Sequence, residues 1–109
     1  MTEQDQLPFS EETTDNGDKE VYHLRLFVTG ASPNSSRAIT NIKEICETHL
    51  HGNYELEIID IYQQPLIAES EQIIALPLLI KKAPGMERRM IGDMSNTNKV
   101  LRGLGLNNE

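Results

Sequence analysis

Cys46, His49 and His51 are the first residues in this chain whose types and spacing raise a question of chemistry. On a helix, Cys46 and His49 would stand one turn apart, close enough to share a cation. A tight zinc site wants three or four converging ligands, and no fourth lies near in sequence. Cys46 also falls in line with Ile39, Ile42, Ile45 and Leu50, where a thiol acts as a small hydrophobe. The expectation is no metal and no cofactor. Ser35, Asp60 and His23 hold the ingredients of a nucleophilic triad, yet nothing like a nucleophile elbow surrounds the serines. Disulfide exchange needs two cysteines, best placed at a helix start whose dipole lowers a thiolate pKa. This chain has one cysteine, and Ala31-Ser32-Pro33-Asn34-Ser35 fills the place after the first strand. The residues therefore predict no catalysis, with a single-thiol redox role for Cys46 as the minor alternative.

The elements that carry these residues follow from hydrophobic period. Val21 to Thr29 reads as a strand with Tyr22, Leu24, Leu26 and Val28 on one face and Phe27 on the other. Gly30 ends it. Ser36 to Leu50 has helical spacing, stopped by His51-Gly52-Asn53. Tyr54 to Tyr62 is a second strand with two partly buried faces, so the first half makes a right-handed parallel βαβ unit. Pro65 opens a short helical segment through Ile74, with Ile67, Ile73 and Ile74 expected inward. Leu76 to Ile80 reads as a strand around Pro77, and Ala83-Pro84-Gly85 as a turn. Arg88 to Ile91 is a return strand, and Ser95 is expected to cap a last helix containing Val100, Leu101 and Leu104. The fold class is α/β in the order βαβαββα, a thioredoxin-like architecture. Pro77 is expected to be a cis-proline opening an edge strand; its slow isomerisation would be a second, conformational role.

At 109 residues the chain holds one domain. Its net charge of −7 is concentrated at the start, where seven acidic residues up to Glu20 face Lys19 alone. Residues 1–20 read as a flexible acidic arm, 21–106 as the folded domain and 107–109 as a tail. The near-neutral remainder lacks a basic excess, so nucleic acid is not expected as a partner. No apolar run is long enough for a membrane, and neither a signal peptide nor a disulfide is indicated, so a cytoplasmic protein is expected. Exposed edge residues such as Tyr22 and Tyr62 would gain from covering, which predicts a dimer or tetramer.

Within this frame, Tyr22-His23-Leu24-Arg25-Leu26-Phe27-Val28-Thr29-Gly30, Ser32-Pro33-Asn34-Ser35 and Arg37-Ala38 resemble the opening of the KaiB circadian clock proteins. Ile59-Asp60-Ile61, Pro65-Leu66, Ala68-Glu69, Ala75-Leu76-Pro77 and Arg88-Arg89-Met90-Ile91-Gly92-Asp93-Met94-Ser95 continue the resemblance as far as Leu106. The domain is also similar to the sensor domain of a clock-output histidine kinase. The resemblance implies a protein that binds the KaiC ATPase ring and influences its phosphorylation cycle. Alternatives are a partner of a sensor kinase, competing for the same surface, or a stress-related protein diverged from the clock. It also implies a second, resting-state fold of the C-terminal half, tetrameric in some members. Gly103 and Gly105 fit that idea, each costing a helix about 0.8–1.0 kcal/mol relative to Ala; alanine at either is expected to strengthen the thioredoxin-like form.

For partner binding the candidates are Arg25, Arg37, Lys43, Lys81, Lys82, Arg88, Arg89 and Lys99, of which Arg37 and the Arg88-Arg89 pair match family positions. Glu55 and Glu57 stand where clock members tend to be neutral or basic. Gly105 replaces a common acidic residue, and the acidic C-terminal extension is missing. Charge reversal at a docking edge works against binding through like-charge juxtaposition.

Overall fold

The computed structural model of the protein describes residues 20–106; the expectations for the acidic arm before Glu20 and for the tail lie outside the described residues. The elements are β1 (Tyr22–Val28), α1 (Pro33–His49), β2 (Tyr54–Asp60), α2 (Pro65–Ser70), β3 (Leu78–Ala83), β4 (Arg88–Ile91) and α3 (Thr97–Leu104). They form one four-stranded sheet in the order β2-β1-β3-β4. β1 and β2 run parallel across α1, and β3 runs antiparallel to both β1 and β4. This is the βαβαββα order that the pattern predicts.

The two faces of β1 divide the core as the alternation demands. Leu24, Leu26 and Val28 pack with Ala38, Ile42, Ile45 and Cys46 of α1 and Val100 and Leu104 of α3. Phe27 sits on the opposite face with Ile59, Leu78 and Ile80, covered by Ile61, Ile67, Ile73 and Leu76. α1 starts at Pro33, within the Ser32-Pro33-Asn34-Ser35 run whose residue types suit a helix start: Ser32 caps it, accepting from the Ser35 amide at 3.2 Å, with Pro33 in the first turn. A proline there forfeits no helix hydrogen bond.

Several local expectations are corrected. The strand that follows Pro77 is interior, between β1 and β4, and the edges are β2 and β4. Pro77 precedes that strand, its peptide to Leu76 is cis, and its carbonyl accepts from Gly92 N at 3.0 Å. A second cis peptide, Ala83–Pro84, lies in the β3–β4 turn. The edge position of β2 leaves Ile58 exposed rather than half covered. α2 stops at Ser70, and Gln72 adopts φ 57. That turn sends Ile73 into the core and Ile74 outward, where it is 90% exposed. Tyr22 is half-buried against the core, whereas Tyr62 is exposed.

The last helix is capped by Asn96, whose side chain accepts from Lys99 N at 3.1 Å. Ser95 is not the cap: the helix begins at Thr97, which puts Ser95 one residue before the cap position, with its amide donating to Asp93 Oδ1 at 3.0 Å.

The glycine expectation reverses. Gly105 lies just past the end of α3 at φ 78, a left-handed conformation that costs an L-residue about 1–2 kcal/mol. A Cβ built on Gly103 would stand 2.2 Å from Met90 Sδ and 2.9 Å from Met90 Cγ. Gly103 is thus the contact that lets α3 lie on β4. Gly103→Ala and Gly105→Ala should each destabilise this fold by about 1 kcal/mol, the first after offsetting its helix-propensity gain. Urea midpoints check this; an increase for either variant would show that the contact or the left-handed turn is not needed.

Candidate functional site

No thiol chemistry survives at the helix start. Ser32 Oγ donates to Ser35 Oγ at 2.9 Å, and Ser35 Oγ accepts from the Thr29 amide at 3.0 Å. Ser35 is buried, so its hydroxyl closes the β1–α1 junction rather than facing substrate. Cys46 lies wholly within the core, and burial, aided by the Glu47 charge, pushes its thiol up to about 12. His49 and His51 are exposed beyond it. Among the described residues no three His, Cys, Asp or Glu side chains gather as metal ligands would. His23, Ser35 and Asp60 do not form a hydrogen-bonded triad: His23 pairs with Glu55, and Asp60 Oδ1 accepts from the Tyr62 amide at 2.9 Å.

The charged residues form a more organised arrangement. Register sets His23 opposite Glu55 and Arg25 opposite Glu57 on neighbouring strands, where directly opposed side chains pair. His23 Nδ1 lies 3.1 Å from Glu55 Oε1, and Arg25 Nε donates to Glu57 Oε1 at 3.0 Å. All four alternate with Phe27 and Ile59, so they share that face of the sheet. Glu71, immediately after α2, reaches over it and gathers three cations. Arg25 Nη1 is 3.2 Å away, Lys82 Nζ 2.9 Å and Arg89 Nη2 3.4 Å. Arg89 also donates to the Glu71 carbonyl at 2.8 Å. Glu87 joins Lys82 and Arg89 at 3.4 and 3.3 Å. The hydrogen bond to Glu71 is the main cause that holds the Lys82 ammonium above its usual range, and Arg89 is the main cause that holds Glu87 below its own. The result is a plate of alternating charges that ties Glu71, just after α2, to the sheet.

Of the sequence candidates, Arg25, Glu55, Glu57, Lys82 and Arg89 meet in this plate. Arg37 stands elsewhere, at the start of α1, with Nε 3.3 Å from Asp93 Oδ2. Hydrogen bonds from Ser95, then Arg37, hold the Asp93 carboxyl below its ordinary range. Asn41 Nδ2 donates to the Asp93 carbonyl at 2.9 Å, tying α1 to the loop before α3. Lys43 and Arg88 are exposed and take part in no salt bridge among the described residues. Lys81 is buried, donating to the Pro84 carbonyl at 2.6 Å. Sequence reasoning missed Glu71, whose partners are 11 to 46 positions away. The signal within reach was parity: Arg25 and Glu57 alternate with the buried Phe27 and Ile59.

Comparison with known proteins settles what this scaffold is. Residues 25–106 match the KaiB domain. The chain belongs to the KaiB family. The circadian clock protein KaiB3 of Synechocystis sp. is 52% identical over 83 residues, covering 76% of this chain and 81% of that protein. Among solved structures, the N-terminal domain of Synechococcus elongatus SasA superposes with TM-score 0.64 at 22% identity, over 89% of this chain and 91% of that one. Fasciola hepatica thioredoxin superposes with TM-score 0.66 at 16% identity, over 85% and 86%. The last two establish shared architecture. This KaiB-family chain thus keeps a thioredoxin-like backbone with serines at the helix start. No helix among the described residues is long and apolar enough to cross a membrane.

Proposed function

We propose that this protein is a non-catalytic KaiB-type regulator that binds a KaiC-type ATPase and modulates its phosphorylation cycle. The observation that carries the reading is the KaiB match across residues 25–106, nearly the whole described domain. The sealed Ser32–Ser35 junction and the core-buried Cys46 support a role in docking. In this reading Arg37, Lys43 and Arg88 meet the partner directly. Arg25, Glu55, Glu57 and Arg89 shape the sheet face while neutralising one another. Tyr62, Leu66 and Ile74, exposed around α2, are the surface through which the free protein would self-associate as a dimer or tetramer.

Capture by an immobilised KaiC-type ATPase, with and without nucleotide, tests the proposal. The wild-type chain should be retained in at least one nucleotide state. Lys43→Glu and Arg88→Glu should each weaken retention by about tenfold, as charge reversal at a contact does, with unchanged circular dichroism. No retention in either state would reject the ATPase as partner and favour the sensor-kinase alternative.

A further inference from the structure

Three methionines lie among the described residues, in three different settings. Met86 projects between β3 and β4, 75% exposed, and Met94 is buried in the loop before α3. Met90 is buried on β4, opposite Leu79, with its thioether against the backbone of α3. A Cβ built on Gly103 would stand 2.2 Å from Met90 Sδ and 3.1 Å from Met90 Cε, so the sulfur has no free space on that side. Met90 and Met94 also line a cavity of about 180 Å³, whose other lining residues Ser95, Asn96 and Lys99 are exposed. A water molecule occupies roughly 30 Å³, so a small peroxide can enter. The two ends of α3 are held differently. Its first turn is anchored by the Asn96 cap and by the preceding loop, where Asp93 is tied to Arg37 and Asn41 of α1. Its last turn rests on apolar contact, with Met90 under Gly103 and Leu104 and Leu106 packed in the core. A change at the Met90 thioether therefore acts on that last turn.

We infer that Met90 is a modification site for hydroperoxides, and that its oxidation in the folded protein loosens the C-terminal turn of α3. The sulfur lone pair attacks one oxygen of the hydroperoxide. The O–O bond breaks as the S–O bond forms, and the proton passes to the departing oxygen, which leaves as water or an alcohol. Sulfur loses two electrons and the peroxide gains them. An apolar thioether becomes a polar, chiral sulfoxide. Because Gly103 covers one face of the sulfur, attack comes from the uncovered face and yields one epimer. A buried polar group without a hydrogen-bond partner is costly, so the side chain turns towards the cavity and withdraws from Gly103. The methionine sulfoxide reductase class that accepts this epimer reverses the change.

Hydrogen peroxide added to the folded Met86→Leu chain tests this, Cys46 being sealed within the core. Peptide mass mapping should place one oxygen on Met90, as a single epimer that only one of the two reductase classes removes. Amide exchange at Gly103, Leu104 and Leu106 should then quicken about tenfold, as expected for a buried polar group left unpaired. Val100, bonded to the Asn96 carbonyl in the anchored first turn, and Ile42 and Ile45 of α1 should keep their rates. Reductase treatment should restore protection, a reading that needs no core substitution. Adding Met90→Leu should abolish the response, whereas adding Met94→Leu should not. Oxidation of Met90 only after urea unfolding, equal amounts of the two epimers, unchanged exchange after oxidation, or the same response in the Met90→Leu chain would each overturn the inference.

Discussion

Iodoacetamide at pH 8 should leave Cys46 of the native protein unmodified, while the urea-unfolded chain reacts within minutes. A thiol raised from 9.0 to about 12 carries roughly a thousandfold less thiolate at that pH, and the thiolate is the nucleophile. Burial adds a steric block, since Cys46 packs among the side chains of α1 and β1. The same shift sets a direction for stability against pH. The unfolded chain releases the thiol proton from about pH 9.0 upward, but the folded chain holds it up to about 12. The contribution is complete below 9.0 and is lost as pH rises towards 12. Cys46→Ser should retain binding of any partner. Rapid labelling of the native protein, or loss of binding in the serine variant, would revive a single-thiol mechanism.

Glu71→Ala should lower stability by about 2 kcal/mol. The carboxylate is 13% exposed and is shared by Arg25, Lys82 and Arg89, whose side chains are 32 to 36% exposed. Its removal leaves three cations facing one another. A fully buried pair broken this way costs about 3–5 kcal/mol, and the partial exposure of the cations lets water and salt recover a portion. Urea unfolding measures the loss. The gap between variant and wild type should narrow in about 1 M salt, where repulsion among the cations is screened. A difference below about 0.5 kcal/mol would place Glu71 among neutral surface positions.

Much of the fold was legible because β1 states its environment residue by residue. Leu24, Leu26 and Val28 report one core and Phe27 the other, and a glycine or proline marks most boundaries. The interior placement of β3 was not legible, since strand order depends on which neighbours the tertiary structure supplies, and a proline at a strand's start suits an edge equally well. Ile74 looked like core by composition and became exposed because one left-handed residue, Gln72, redirects the chain. Gly103 looked like a helix defect, as propensity describes an isolated helix; its meaning came from Met90 on another element. Within the charged plate, the single-strand alternation was readable, but Glu71 is joined to it only by folding.

The placement of the strands also determines how copies of this sheet can meet. One free margin, β2, carries Glu55 and Glu57, and the other, β4, carries Arg88 and Arg89. Glu55 and Glu57 are held by His23 and Arg25, and Arg89 by Glu71 and Glu87, so both margins carry charged side chains fixed within the copy, which deters the continuous sheet that unpaired edges otherwise invite. Assembly by lateral strand addition is thereby steered away from two-fold sheet extension and towards surfaces other than the margins.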